Sequence, residues 1–387
     1  MKVIMLLGRS TGGIGTHVAQ LSADLRDLGV DVVVVTHPLT AEHFDLGPVR
    51  LYWPGSAGTV HAFRDLRLMR RLAATADIVH AHGHQGGLMA ALATLRMRDA
   101  PRLIVSQHNA VLEGSGKQVL KRLSQRWVAR HADLVTGASR DLVNEALAFG
   151  AGRAELAEVP SPLVPRLLAR RPADRPARAR LRQTLLSSLG GDPADPADAA
   201  DPADAADAAD PSVPLVVTIS RIAPQKNLPV LVEAASRLRH TCTWVVLGDG
   251  DPQLLARLRH QASALAAPVH FVGSRGEVDQ WLCAAEVFVL PSAWEARALV
   301  VQEAMAAGTP VVATEVGGLP DLVAGTGLLV PPADPDALAK ATDRILADPG
   351  LREELAARGR EVAAAWPQGL DTASRWLTWY SETARMT

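Results

Sequence analysis

Four charged residues in the second half of the chain have the types and spacing to hold one extended anionic ligand. Arg221 follows an apolar run at 215–220, and Lys226 stands five positions later, just before Asn227 and an expected helix. Two fixed cations beside a helix N-terminus, at the carboxyl end of a strand, suit the spread negative charge of a diphosphate. Glu295 and Glu303 flank the start of a second helix, expected at 299–307. Glu295 falls in the turn that faces the cleft, and Glu303 lies two helical turns along, within reach of a different part of the same ligand. A solvated helix face would explain Glu303 alone, but not a glutamate in the apolar turn 291–298. The N–H groups of Ala298, Leu299 and Val300 open that helix and would meet a phosphate. At 271–273 a further strand ends in a glycine turn, where the backbone around Val272 is open to a planar base.

The first half carries glycines and histidines instead of charges. An apolar strand at 2–7 runs into a turn containing Gly12, Gly13 and Gly15, followed by His17 on an amphipathic helix. Such a turn brings backbone N–H groups close to an anionic or hydroxyl-rich ligand. It does not match a dinucleotide fingerprint: Val18 stands where a third Gly or Ala belongs, and the strand at 31–36 ends without an acidic residue for the ribose. No phosphate-binding Gly-x4-Gly-Lys motif is present either. His80, His82 and His84 follow one strand and His108 another, so both groups sit at the edge where open parallel sheets bind ligands. Packing and hydrogen bonding explain the first three better than substrate contact does. Three alternate histidines with no nearby carboxylate or cysteine make a poor metal site, and no metal is expected.

These residues need a scaffold of alternating strands and helices. Strands are expected at 2–7, 31–36, 78–80, 103–107 and 134–137, then at 215–220, 243–248, 269–272, 287–290, 310–314 and 327–330. Amphipathic helices fit between them, which is the pattern of parallel α/β layers. A length of 387 residues suggests more than one core. Between the halves, Asp192 to Asp210 repeats at a strict period of three in a run of Asp, Ala and Pro, too poor in apolar side chains to fold. Residues 162–191 bring seven arginines against Asp174 alone and are read as solvated charge flanking the repeat. The organisation expected is therefore a first α/β domain at 1–160, a linker at 161–212, a second domain at 213–365, and a helix at 366–387. Trp366, Trp376, Trp379 and Tyr380 would dock that helix on the first domain.

Forty basic and 41 acidic residues leave a net charge of −1, which argues against a nucleic-acid binder. Two isolated cysteines support neither a disulfide framework nor zinc. No apolar run is long enough to span a bilayer, and the N-terminus lacks a signal-peptide pattern, so a cytoplasmic protein is expected.

The order Gly12-Gly13-x-Gly15-Thr16-His17, His80-x-His82, His108, Arg221-x4-Lys226 and Glu295-x7-Glu303, followed by Gly-Gly-x-Pro and Gly-Leu-Leu-Val-Pro turns, resembles the family-4 retaining glycosyltransferases over nearly the whole chain. The resemblance implies a GT-B fold: two facing doubly wound α/β domains with a C-terminal helix crossing back to the first. It implies a hexosyl unit moved from a nucleotide sugar to a hydroxyl acceptor, without a metal ion or other cofactor, UDP being favoured over GDP as the carrier. By position it puts Arg221 and Lys226 on the diphosphate, Glu303 on the ribose and Glu295 on the sugar hydroxyls. His108 falls near the reacting sugar, backbone from Arg297 to Val300 on sugar and phosphate, and the Gly12–Gly13 loop over the diphosphate; His17, His82 and His108 would line the acceptor side. Many members have Glu-Gly-Phe-Gly where this chain has Glu295-Ala296-Arg297-Ala298, setting a bulky cation beside the donor sugar. The same architecture serves nucleotide-sugar 2-epimerases, and a binding module without turnover is the other alternative.

The acceptor is open between a small soluble molecule and a lipid-linked one. Lys117, Lys121, Arg122, Arg126 and Arg130 surround Val119, Leu120, Leu123 and Trp127, and Arg64, Arg67, Arg70 and Arg71 lie on another helix. Such helices suit either plain solvation or peripheral contact with the inner face of an anionic membrane.

Overall fold

In the computed structural model, strand register explains how residues distant in sequence meet. The residues described are 1–10, 12–50, 59–109, 117–172, 174–190 and 213–385. The Asp/Ala/Pro repeat lies outside them. Contacts divide the chain into one unit of Met1–Pro162 with Pro367–Thr387 and another of Leu163–Trp366.

The first unit holds strands β1 (Lys2–Leu7), β2 (Asp31–Thr36), β3 (Val49–Arg50), β4 (Ile78–His82), β5 (Arg102–Gln107), β6 (Leu134–Gly137) and β7 (Ala154–Leu156). They form one parallel sheet in the order β3-β2-β1-β4-β5-β6-β7. The order reverses direction between β1 and β4, where Leu7 pairs with His82. Helices α1 (Gly13–Asp27), α2 (Pro38–His43), α3 (Thr59–Ala73), α4 (Gly83–Thr94), α5 (Lys117–His131) and α6 (Arg140–Ala148) connect the strands. Runs such as Val3–Leu7 are buried throughout, as a sheet covered on both faces requires.

The second unit opens with α7 (Val164–Ala169) and α8 (Arg175–Ser187), and here the structure corrects the expected linker. Asp174 caps α8 by accepting from the Ala177 N–H at 2.8 Å, and Pro176 stands in its first turn. Leu185, Leu186 and Leu189 pack with Val217, Val245 and Trp281 in the core. The arginines of this stretch are also not simply solvated. Arg182 bonds both carboxylate oxygens of Glu286 at 2.9 Å, and Glu286 accepts the Leu215 N–H at 2.7 Å. Arg166 and Arg170 both reach Asp279, at 3.1 and 2.6 Å. The carboxylates that balance this basic block lie about 100 residues downstream, so local charge counting misreads it.

Beyond the repeat come β8 (Leu215–Ile219), α9 (Leu228–Ser236), β9 (Thr243–Leu247), α10 (Pro252–Ala264), β10 (Val269–Phe271), α11 (Val278–Ala284) and β11 (Val287–Leu290). They are followed by α12 (Leu299–Ala307), β12 (Val311–Thr314), α13 (Leu319–Val323), β13 (Gly327–Val330), α14 (Pro335–Ala347) and α15 (Pro349–Ala364). The sheet order is β10-β9-β8-β11-β12-β13, again parallel and reversing between its first strand and its fourth.

The last helix, α16 (Leu370–Arg385), belongs to the first unit, where Ala373, Trp376, Trp379 and Tyr380 are buried against Val3, Met5 and Val18. Trp366 does not join them: it precedes the helix and packs in the second unit against Val301 and Met305.

Candidate active site

Each unit gathers its candidate residues at the point where strand order reverses, the crevice in which open α/β sheets bind ligands. In the second unit this is the carboxyl edge of β8 and β11. The loop after β8 carries Arg221, which is exposed, and a turn of 3₁₀ helix, Pro224–Lys226, that delivers Lys226. Asn227 takes a left-handed conformation, φ 49°, as α9 begins, a backbone state that Asn tolerates better than most side chains. After β11 the turn at 291–298 carries Glu295.

The two loops are tied together. The Ala293 N–H donates to the Gln225 carbonyl at 2.8 Å, and the Gln225 side-chain amide donates to the Trp294 carbonyl at 2.8 Å. Within that frame Lys226 Nζ donates to Glu295 Oε1 at 2.5 Å, and Ser292 Oγ donates to the same oxygen at 2.6 Å. Both charged side chains are at least 85% buried, so the pair is held away from water. From the other side, Thr314 Oγ1 donates to the Ser292 carbonyl at 2.6 Å and the Gly318 N–H to the Glu295 carbonyl at 2.9 Å. A Cβ on Gly317, φ +54°, would come within 1.9 Å of that carbonyl, so only glycine fits this turn. The Gly-Gly-x-Pro sequence is thus the brace under Glu295.

Helix α12 starts at Leu299 with Ala298 as its cap residue and no side-chain cap, so its first N–H groups remain open to a ligand. Glu303 and Gln302 on this helix are buried. The Arg297 guanidinium lies 5.3 Å over the Trp366 ring, a cation–π contact that anchors it within its own unit. Val272 is buried, beside the glycine turns after β9 and β10, where Gly248 donates to the Gly273 carbonyl at 2.9 Å. Gly248, φ +130°, has no room for a Cβ, which would sit 2.1 Å from the Ser220 carbonyl.

In the first unit the site is built from imidazoles. His17 comes from α1, His80 and His82 from β4 and His108 from the end of β5, and all four are buried. His82 Nδ1 and His108 Nε2 are 3.2 Å apart, with ring planes inclined by only 17°. His17 packs on both, with ring centroids at 5.9 and 5.6 Å. His80 stacks on His82 at 4.1 Å, and its two nitrogens bond the Tyr380 hydroxyl and Ser106 Oγ, each at 2.7 Å. Ser106 Oγ in turn meets Thr136 Oγ1 at 2.7 Å.

Burial holds these imidazoles neutral. It pushes His17 down to about 4, and it pushes His108 to about 3 with help from the neighbouring His17. His80 and His82 lie well below the ordinary value, first through burial and then through mutual repulsion within the cluster. His84 stands apart, half-buried and 3.3 Å from Ser124 Oγ. Among the described residues no three His, Cys, Asp or Glu are arranged to hold a metal ion.

The glycines of the first loop divide by role. A Cβ on Gly15 would overlap the Phe44 ring at 2.1 Å, whereas one on Gly12 would meet nothing within 4 Å. Packing requires the first; space for a ligand is the reading left for the second. Gly13 opens α1. The residues that sequence reading missed, Ser292, Gln225 and Thr314, act through contacts between loops and strand ends far apart in sequence, and Tyr380, expected only to dock the last helix, also bonds His80.

Comparison with known proteins agrees with this geometry. Residues 12–162 match a family model described as glycosyl transferase 4-like domain, and residues 213–348 match one described as glycosyl transferases group 1. The chain is 30% identical over 380 residues to alpha-maltose-1-phosphate synthase of Mycobacterium tuberculosis, with 90% of each chain covered. It is 28% identical to a D-inositol 3-phosphate glycosyltransferase of Streptomyces bingchenggensis, covering 89% of this chain and 79% of that one. Among solved structures, Anabaena HepE with UDP and glucose matches with a TM-score of 0.79 and 19% identity, covering 99% of this chain and 100% of that one. Sucrose-phosphate synthase from Thermosynechococcus elongatus matches with a TM-score of 0.75 and 24% identity, covering 98% of each. With two doubly wound parallel sheets, a charged crevice in one and an imidazole crevice in the other, and a relative matched over 90% of the chain, the chain belongs to the family-4 glycosyltransferases and has the GT-B fold.

Proposed function

We propose that this glycosyltransferase moves a hexosyl unit from a UDP- or GDP-sugar to a hydroxyl acceptor, with retention of anomeric configuration and without a metal ion. The observation that carries the donor assignment is the Lys226–Glu295 pair braced between two loops at the β8/β11 edge, with exposed Arg221 on the same loop as Lys226. As the glycosidic C1–O bond breaks, charge develops on the departing diphosphate. Arg221, Lys226 and the opening N–H groups of α12 are preorganised to stabilise it, which is the work a metal ion would otherwise do. Glu295 suits the sugar hydroxyls and Glu303 the ribose.

A retaining course suits imidazoles that are weak bases. Imidazoles at about 3 and 4 are poor proton acceptors near neutral pH. The proton of the acceptor hydroxyl then goes to the departing phosphate oxygen, as the new C1–O bond forms on the face that the leaving group vacates. Attack and departure on one face preserve the configuration.

A thermal-shift panel of UDP, GDP, ADP and their hexose conjugates, with and without EDTA, tests the donor class. One nucleotide should raise the midpoint in the presence of EDTA, because a ligand that binds only the folded state stabilises by RT ln(1 + [L]/Kd). No shift from any of them would overturn the donor site. Conversion of the sugar nucleotide with no acceptor present would mark a 2-epimerase instead.

For the acceptor we propose a lipid-linked hydroxyl reached from an anionic membrane face. Helix α5 exposes Val119, Leu120 and Leu123, at 68, 72 and 56%, with Lys121, Arg122 and Arg126 on the same helix. Apolar side chains ringed by cations suit an anionic bilayer surface. Not every basic residue nearby is available: Arg70 on α3 donates to the Ala93 and Leu95 carbonyls. No helix among the described residues is long and apolar enough to cross a membrane. Flotation with phosphatidylglycerol vesicles, abolished by replacing Leu120 and Leu123 with Ser, is expected; binding unaffected by that change would refute this contact.

A further inference from the structure

The hydrogen bond between His82 and His108 contains one proton, and its owner decides what His108 offers a substrate. Two arrangements are possible for a pair of neutral imidazoles. If His108 donated from Nε2, His82 would accept at Nδ1 and carry its own proton on Nε2. That nitrogen is buried with no hydrogen-bond partner among the described residues, so a polar N–H would be stranded inside the protein. Orphaned buried N–H groups are rare in proteins, and under-satisfied acceptors are somewhat less so. If His82 donates from Nδ1, its Nε2 is a bare lone pair with no donor opposite it. His108 then accepts at Nε2 and must hold its proton on Nδ1.

The packing supports the second arrangement. His82 is almost fully buried and packs against the His80 ring at 4.1 Å and the edge of His17 at 5.9 Å, which restricts its rotation. His80 is itself fixed at both nitrogens by Tyr380 and Ser106. The result is a graded cluster: His80 is fully buried, His82 is 2% exposed, and His108, at 8%, is the member nearest the surface.

We infer that His82 is a positioning residue that locks His108 in the Nδ1–H tautomer, so that His108 meets substrate as a neutral hydrogen-bond donor to a hydroxyl or phosphoryl oxygen and does not act as a general base. Its functional part rests on reading this unit as the acceptor side of a glycosyltransferase. The Nε2 lone pair, the basic site of this tautomer, is occupied within the protein. His108 therefore orients an oxygen and takes no proton from it.

The test combines a spectroscopic and a kinetic measurement on the full chain. Two-bond ¹⁵N–¹H correlations of histidine-labelled protein, assigned by comparison with His108→Gln, should show His108 protonated at Nδ1 and bare at Nε2, unchanged between about pH 5 and 8. In His82→Asn the amide nitrogen replaces Nδ1 as donor, so the tautomer and most of the turnover should survive. In His82→Leu the donor is gone: His108 should populate both tautomers, and kcat should fall about tenfold or more with the KM for the nucleotide sugar unchanged. A wild-type His108 protonated at Nε2 would overturn the inference. So would a His82→Leu protein that keeps both the tautomer and kcat. The wild-type spectrum decides even where a variant fails to fold. Failure to find transfer with any nucleotide sugar would sink the proposed activity and leave the tautomer measurable.

Discussion

The two crevices share one topology and differ in electrostatics. Both lie where a parallel sheet reverses its strand order, one between β1 and β4, the other between β8 and β11. In the second, a cation and a carboxylate are buried as a pair. In the first, four imidazoles are buried with no carboxylate among the partners that bond or stack on them, and they stay neutral. Strand order therefore decides where each set of side chains gathers, and burial with or without a counter-ion decides what charge it presents. A diphosphate needs preorganised charge, whereas a hydroxyl is better served by neutral donors and acceptors, which bind it without a net charge to desolvate.

The sharpest way to break this contrast is to remove one half of the buried pair. Lys226→Ala leaves Glu295 buried without its cation, which is expected to cost about 3–5 kcal/mol of stability and to lower transfer about 100-fold or more. Lys226→Met combined with Glu295→Gln should recover most of the stability and none of the transfer. Arg221→Ala is the control for position: this exposed residue should change stability by less than about 0.5 kcal/mol while weakening donor binding. Urea unfolding and a transfer assay on the same four proteins separate the two effects. A Lys226→Ala protein as stable as the parent would show that the pair is not the buried brace described here.

The imidazole crevice should show itself in acid instead. Burial lowers His17 from the ordinary 6.5 to about 4 and His108 to about 3. Below pH 6.5 the unfolded chain then binds protons that the folded chain refuses. Stability contributed by these groups is present above that pH and is lost as pH falls toward 4. Urea midpoints measured from pH 7 to 4.5 should decline, and less steeply in His17→Gln. An identical pH slope for that variant would mean that His17 is not held neutral by the fold.

Much of this scheme is legible in the sequence, because it depends on local pattern. Alternating apolar runs and helical periodicity locate the long strands and helices, and turn glycines mark the edges that carry Arg221, Lys226, Glu295 and His108. What is missed depends on pairing at a distance. Helix α8 is obscured by its arginines, of which Arg182 pairs with Glu286, 104 residues downstream, although Leu181 and Leu185 stand four apart on its buried side. Short β3 and β7 have too few residues to show a period. Ser292 and Thr314 look like ordinary turn and strand residues until the register of β11 and β12 brings them under Glu295. The aromatic terminus signals docking, but nothing in its composition tells Trp366, which stays with the second unit, from Trp376 and Tyr380, which enter the first.

The smallest expected effect concerns the contact that joins the sequence extremes of the first unit. Tyr380 from α16 reaches His80 on β4 across 300 residues, and burial keeps its phenol protonated, well above the ordinary value. Tyr380→Phe keeps the ring that packs on Trp376, at 5.8 Å, and removes only the hydroxyl. The loss leaves His80 Nδ1 buried without its partner, a cost of about 1 kcal/mol and at most about 3. Since Lys226, Glu295 and Arg221 belong to the other unit, the thermal response to the donor nucleotide should be the same as in the parent. The two crevices would then be independent in binding energy while sharing one polypeptide. A Tyr380→Phe protein with a weakened nucleotide response would instead show that the imidazole network and the charged pair are coupled, and the contrast between them would have to be redrawn as a single site.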